Sequence, residues 1–133
     1  MEQNSQVAAG RPYQPMRWLF FGISGRIGRV PYVLGLLFVI AVFGLLIAQL
    51  SAVDRLGARA TFLSLCFVAF FFLAVWMVMA MSIKRLHDIN IPGAVSVCLF
   101  VPAVSIIALL VMCAWRGTDG ANDYGESSNR PKE

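Results

Sequence analysis

The sequence predicts an all-α membrane protein: about three transmembrane helices with short loops, and an N-terminal segment lying at the membrane interface. Three observations predict it. Hydrophobic residues make up 59% of the 133 residues, against roughly 45–50% in soluble domains, and so small a domain could not hide that much carbon from water. Charged residues are 14%, against about 25% in soluble proteins, and they fall in a few short stretches. Between those stretches lie uncharged runs at positions 30–53, 60–83 and 89–115. Each exceeds the about 20 helical residues that cross a hydrocarbon core of ~30 Å.

Residues 1–15 are polar, carry Gly10, Pro12 and Pro15, and show no periodicity; this is the composition of a disordered tail. The membrane domain is assigned to residues 16–126. Its first part combines Trp18, Leu19, Phe20, Phe21 and Ile23 with Arg17, Arg26 and Arg29. Rings and arginines of this kind suit the headgroup region, where a ring is half buried and a guanidinium reaches phosphate. Gly22, Gly25 and Gly28 make poor helix and predict a bend or loop on the membrane surface. The spans are placed at about 31–53, 60–83 and 92–115. The third starts at Pro92 because proline suits a first helical turn, and Pro102, ten residues in, is expected to kink it. Residues 127–133 form a polar C-terminal tail. Helices are the form required, since a lone strand would leave backbone groups unpaired in lipid, and no run alternates as a barrel strand does. The stretch 67–73 leaves no side for water, which argues against a soluble bundle. The first run is also too long and too far from the N-terminus for a cleaved signal peptide.

The connection at 54–59 is short enough to make spans one and two an antiparallel hairpin. The second connection, 84–91, is short and polar. Arg11, Arg17, Arg26, Arg29, Lys84 and Arg85 lie on one side of the predicted membrane; Arg55, Arg59 and Arg116 lie on the other, with Arg130 and Lys132 farther along the tail. By the bias of lysine and arginine toward the cytoplasm, the N-terminus and second connection are expected inside and the C-terminal tail outside.

Chemistry is sparse. The densest polar cluster is Lys84-Arg85-Leu86-His87-Asp88. Histidine titrates near neutral pH and a carboxylate can orient it, but adjacent helical residues do not face each other. A membrane-edge anchor with internal ion pairs is the favoured reading; lipid-headgroup or partner contacts by Arg26, Arg29, Lys84, Arg85, His87 and Asp88 are the functional one. One histidine, and Cys66, Cys98 and Cys113 without metal spacing, predict no metal site and no disulfide framework. Gly117-Thr118-Asp119-Gly120-Ala121-Asn122-Asp123-Tyr124-Gly125-Glu126 offers oxygen ligands, but Ala121 stands where a calcium loop needs one; a turn folding back on the membrane surface fits better. The glycines at 22, 25 and 28 match neither phosphate-loop pattern. No charge sits mid-span, where ion-coupled transport usually needs one, and Gln49 is one of few polar groups there. No nucleophile, base and acid can be assembled. No catalytic residue, cofactor or enzyme activity is therefore predicted, and no basic stripe suits nucleic acid. Gly44, Ala48 and Ala52 smooth one face of the first span for close approach by another helix, a second copy or, the favoured expectation, another span of the same chain.

Three stretches together resemble a known family: Ser24-Gly25-Arg26-Ile27-Gly28-Arg29 with Tyr32, then Lys84-Arg85-Leu86-His87-Asp88, then Gly117-Thr118-Asp119-Gly120-Ala121-Asn122 with Tyr124-Gly125. In order and placement they are similar to the bacterial inner-membrane family called domain of unknown function 805, over residues 17–126. The resemblance implies a multi-span fold and an inner-membrane location but no reaction. Two departures stand out. Pro92-Gly93-Ala94-Val95 replaces tryptophans that usually follow the histidine-aspartate motif, and Asp123 replaces a basic residue after the tail asparagine.

The expected partners are the lipid bilayer and either a second copy or another membrane protein. A non-enzymatic component for membrane assembly or interaction is the leading reading. A subunit of an oligomeric transporter or channel is the alternative, and a headgroup enzyme using His87 and Asp88 the least favoured.

Overall fold

The computed structural model describes residues 16–53, 57–126 and 128–129. The polar stretch 1–15, residues 54–56 of the first connection and the remainder of the C-terminal tail lie outside the described residues, as does the expectation of disorder for 1–15. The described residues form α1 (Met16–Phe21), α2 (Arg29–Ser51), α3 (Ala58–Asp88), a 3-10 helix (Gly93–Phe100) and α4 (Pro102–Ala114).

Helices α2 and α3 are the two long apolar ones, with the length and composition to cross a membrane. At ~1.5 Å per residue they run ~35 and ~46 Å. Pro31 falls in the first turn of α2, where a missing N–H costs no helical bond. The two helices pack as a hairpin. Gly35 lies against Met81, whose sulfur occupies the space a Cβ would take, and the ring of Phe43 meets Phe67, Phe70 and Phe71 edge-on at 5.1–6.4 Å between centroids. Side chains such as Leu34, Ile40, Leu45, Phe62 and Phe72 point outward, as an apolar solvent permits.

The end of α3 follows from its sequence. Asn90 adopts a left-handed conformation (φ 62°), which asparagine tolerates. It turns the chain so that Ile91 N–H donates to Leu86 O at 2.9 Å and Asn90 N–H to His87 O at 3.1 Å. This is the paired closure of a Schellman motif, and Pro92 follows as it often does. The cluster from Lys84 to Asp88, expected in a connection, is thus the last turn of α3: nothing in it stops a helix, and Asn90 is the first residue that does.

Apolar helical segments occupy all three positions the sequence assigns, but the third differs in form. Pro102 starts a new helix rather than kinking one. Gly93 lies against Ile83 and His87, Leu99 and Phe100 line one groove with Val75 and Met79 of α3, and Arg85 Nε donates to Met112 O at 2.8 Å. The run descends along α3 and then returns. At ~2.0 Å per residue in the 3-10 arm and ~1.5 Å in α4, the arms are only ~16 and ~20 Å long. Both ends of this re-entrant hairpin meet the C-terminal end of α3. The C-terminal tail consequently lies at the same end of the bundle as the N-terminal arm, which corrects the expectation that it emerges opposite.

Where the hairpins meet, Tyr32 is wholly buried. Its hydroxyl pairs with Ser82 Oγ at 3.1 Å and reaches Met112 Sδ at 3.9 Å, tying α2, α3 and α4 together. Gly44, Ala48 and Ala52 face outward, and nothing lies within 4 Å of the Gly44 Cβ position. Their expected packing within the chain is not present.

Candidate functional site

The three motifs converge on one polar knot at the end of the bundle. Gly25 (φ 91°) takes a turn that favours glycine and swings Arg26 inward, where it is wholly buried. The guanidinium of Arg26 is then saturated: Nε donates to Asp88 Oδ1 at 3.3 Å, Nη1 to the carbonyls of Gly120 at 2.6 Å and Gly125 at 3.1 Å, and Nη2 to Thr118 O at 2.6 Å. Arg85 is equally buried. It donates to Met112 O, to Ile27 O at 3.4 Å, to Asp88 Oδ2 and to Trp115 O.

Asp88 is the carboxylate shared by both guanidiniums and by the Ser128 hydroxyl. Gly117 lies so close that a Cβ there would overlap the Asp88 carboxylate. Lys84, also buried, donates to the carbonyls of Trp18 and Leu19 and sits 4.4 Å from the Trp18 ring centroid.

The electrostatics are those of buried cations solvated by protein. Two guanidiniums face a single carboxylate, the Lys84 ammonium faces the Trp18 and Leu19 carbonyls, and carbonyl oxygens stand in for water around the excess positive charge. Several of these carbonyls belong to helix C-terminal turns, which carry unpaired acceptors and the negative end of the dipole. Lys84 caps α1 and its neighbour Arg85 caps α4. Consecutive residues of α3 therefore point to different helices and fix both ends.

The tail closes the knot with its own bonds. Thr118 donates through N–H and hydroxyl to Asp88 O at 2.8 and 2.9 Å. Asn122 Nδ2 donates to His87 O at 2.8 Å. Asn129 N–H donates to Arg26 O at 2.7 Å, while its side-chain oxygen accepts from Gly28 N–H at 2.7 Å. His87 pairs through Nδ1 with Gly25 O at 3.3 Å and stacks on Tyr124, with centroids 4.1 Å apart and planes 4° from parallel.

Of the predicted contact residues, Arg26, Lys84, Arg85, His87 and Asp88 are brought together, and Arg29 stays on the exposed rim. The donors Thr118, Asn122, Ser128 and Asn129 were not anticipated. The glycines at 117, 120 and 125 signal a tight turn, but nothing local in the tail names the arginine that its carbonyls solvate. Among the described residues no three His, Cys, Asp or Glu side chains gather as metal ligands would.

Comparison with known proteins places this geometry. The family model described as Protein of unknown function (DUF805) matches residues 20–126, which takes in Arg26, the last turn of α3 and the tail through Gly125. Inner membrane protein YhaI of Escherichia coli strain K12 is 35% identical over 113 residues, covering 85% of this chain and 88% of that protein. YhaI of Escherichia coli O157:H7 matches to the same extent. No solved structure matches. With its three motifs joined in one knot and the family model spanning most of its length, this helical membrane chain belongs to the DUF805 family.

Proposed function

We propose that this chain is a non-enzymatic component of the bacterial inner membrane, a compact two-span module that assembles with other membrane protein, with the knot end toward the cytoplasm. The observation that carries the reading is the direction of the knot's polar groups: both buried guanidiniums and the Lys84 ammonium are turned inward onto carbonyls and Asp88. Groups spent in this way hold helix ends in place. Turning over a substrate would need a nucleophile or base at an open cleft, and Asp88 is 1% exposed.

Charge supports the orientation. Among the described residues Arg17, Arg26, Arg29, Lys84, Arg85 and Arg116 lie at the knot end and Arg59 at the other, a strong asymmetry by the positive-inside rule. The exposed Arg17, Arg29 and Arg116 are left on the rim for anionic headgroups, each worth about 1 kcal/mol near such a surface.

Single substitutions test the role. Arg26→Ala and Arg85→Ala should strongly reduce the amount of chain accumulating in the membrane, while Arg29→Ala should leave it near the parent level. Accumulation of the two buried-arginine variants at parent levels would remove the structural role.

A further inference from the structure

The hairpin formed by the 3-10 helix and α4 turns at Leu99–Val104, and the arm lengths of ~16 and ~20 Å put that turn near the middle of a hydrocarbon core of ~30 Å. The turn is not sheltered by the rest of the chain: Phe100 is 65% and Val101 51% exposed. It is also polar in its backbone. Pro102 has no N–H, no side chain caps α4, and the N–H groups of Ala103 and Val104 precede the first helical bond, Ser105 N–H to Val101 O. The carbonyls of Leu99 and Phe100 lie beyond the last bond of the 3-10 arm, Val101 N–H to Cys98 O. Backbone left unpaired in lipid costs several kcal/mol per group, and irregular backbone at that depth is tolerated where protein or a water-filled cavity covers it.

We propose that this hairpin tip, residues 99–104, is the contact surface between two copies of the chain. The tip is self-complementary, with two backbone donors at Ala103 and Val104 and two acceptors at Leu99 and Phe100. About a two-fold axis each copy offers the other what it lacks, as an isologous interface requires. Shape agrees. The exposed Phe100 is flanked by two apolar grooves of about 230 and 310 Å³ that share Val75, Met79 and Phe100 in their walls, giving a neighbour's side chains a recess beside the turn. A lipid chain fills such grooves but satisfies no N–H group. The surface lies at the far tip of the hairpin from the knot and stands independently of the knot's role.

Cross-linking in native membranes tests it. Chains carrying Cys66→Ser and Cys113→Ser keep Cys98 beside the turn; a second chain lacks all three native cysteines and carries Val101→Cys. A depth-matched control lacks all three native cysteines and carries Ile40→Cys on the outer face of α2. Mild oxidation should convert the Cys98 and Val101→Cys chains to a species of twice the 14.6 kDa chain mass and leave the Ile40→Cys chain monomeric. Equal cross-linking of all three, absence of the doubled species at both tip positions, or adducts of another mass instead would each overturn the proposal.

Discussion

Arg26 and Asp88 are 62 residues apart in the chain, yet Arg26 Nε donates to Asp88 Oδ1 at 3.3 Å inside a site from which solvent is excluded. This pair joins the N-terminal arm to the end of α3, and Arg85 joins the same carboxylate to α4. The knot is therefore the place where the fold is most vulnerable to a single change.

Asp88→Asn keeps the size and removes the charge that offsets Arg26 and Arg85. Breaking a buried pair by removing one partner typically costs about 3–5 kcal/mol. The variant should melt well below the parent in mild detergent, whereas Asp119→Asn, at an exposed tail position, should melt with it.

Lys84→Met should release α1 without unfolding the α2–α3 hairpin. Each charge-assisted bond to a carbonyl is worth about 1.5–3 kcal/mol, and two of them hold Trp18 and Leu19. Hydrogen exchange should rise over residues 16–22 and stay unchanged in the Phe43 aromatic cluster. A uniform rise along the chain would mean that Lys84 holds more than α1.

Gly35→Val forces a side chain into the space of the Met81 sulfur, and overpacking of this kind costs about 1–3 kcal/mol. Gly44→Ala, with nothing near its Cβ position, should be tolerated within one chain. Thermal melts of the two variants in the same detergent give the comparison; equal melts would contradict the packing of α2 on α3 through Gly35.

Gly117→Ala should act by pushing directly against the Asp88 carboxylate. It should reproduce part of the Asp88→Asn loss in melting temperature, although it changes no charge. Gly120→Ala meets no neighbour but sits at φ 82°, so it should cost only the ~1–2 kcal/mol of a left-handed alanine.

The membrane character was legible because lipid contact imposes its demand residue by residue: a stretch such as 60–83 must be apolar on all sides. The helix end at Asn90 and the reversal at Pro102 were less so. A run of 27 apolar residues looks like one crossing, and its division by Pro92 and Pro102 into two arms too short to cross is a matter of tertiary folding. Reading that run as a crossing also placed Arg116 opposite Arg26. Once the segment turns back, Arg116 joins the other cations of the knot end and the charge bias sharpens. The partners in the knot were the least legible, because backbone carbonyls carry no residue identity. Arg26 is solvated by Thr118, Gly120 and Gly125 through groups that nearly any sequence would supply.

The return of the third apolar segment carries the rest, and reporter fusions at the two termini test it most directly. A fluorescent protein that matures only in the cytoplasm and a phosphatase active only outside it should agree at both ends: both fusions fluorescent, both phosphatase fusions inactive. A C-terminal fusion reporting the side opposite to the N-terminal one would mean that the third segment crosses the bilayer, and would contradict the re-entrant hairpin and the knot together.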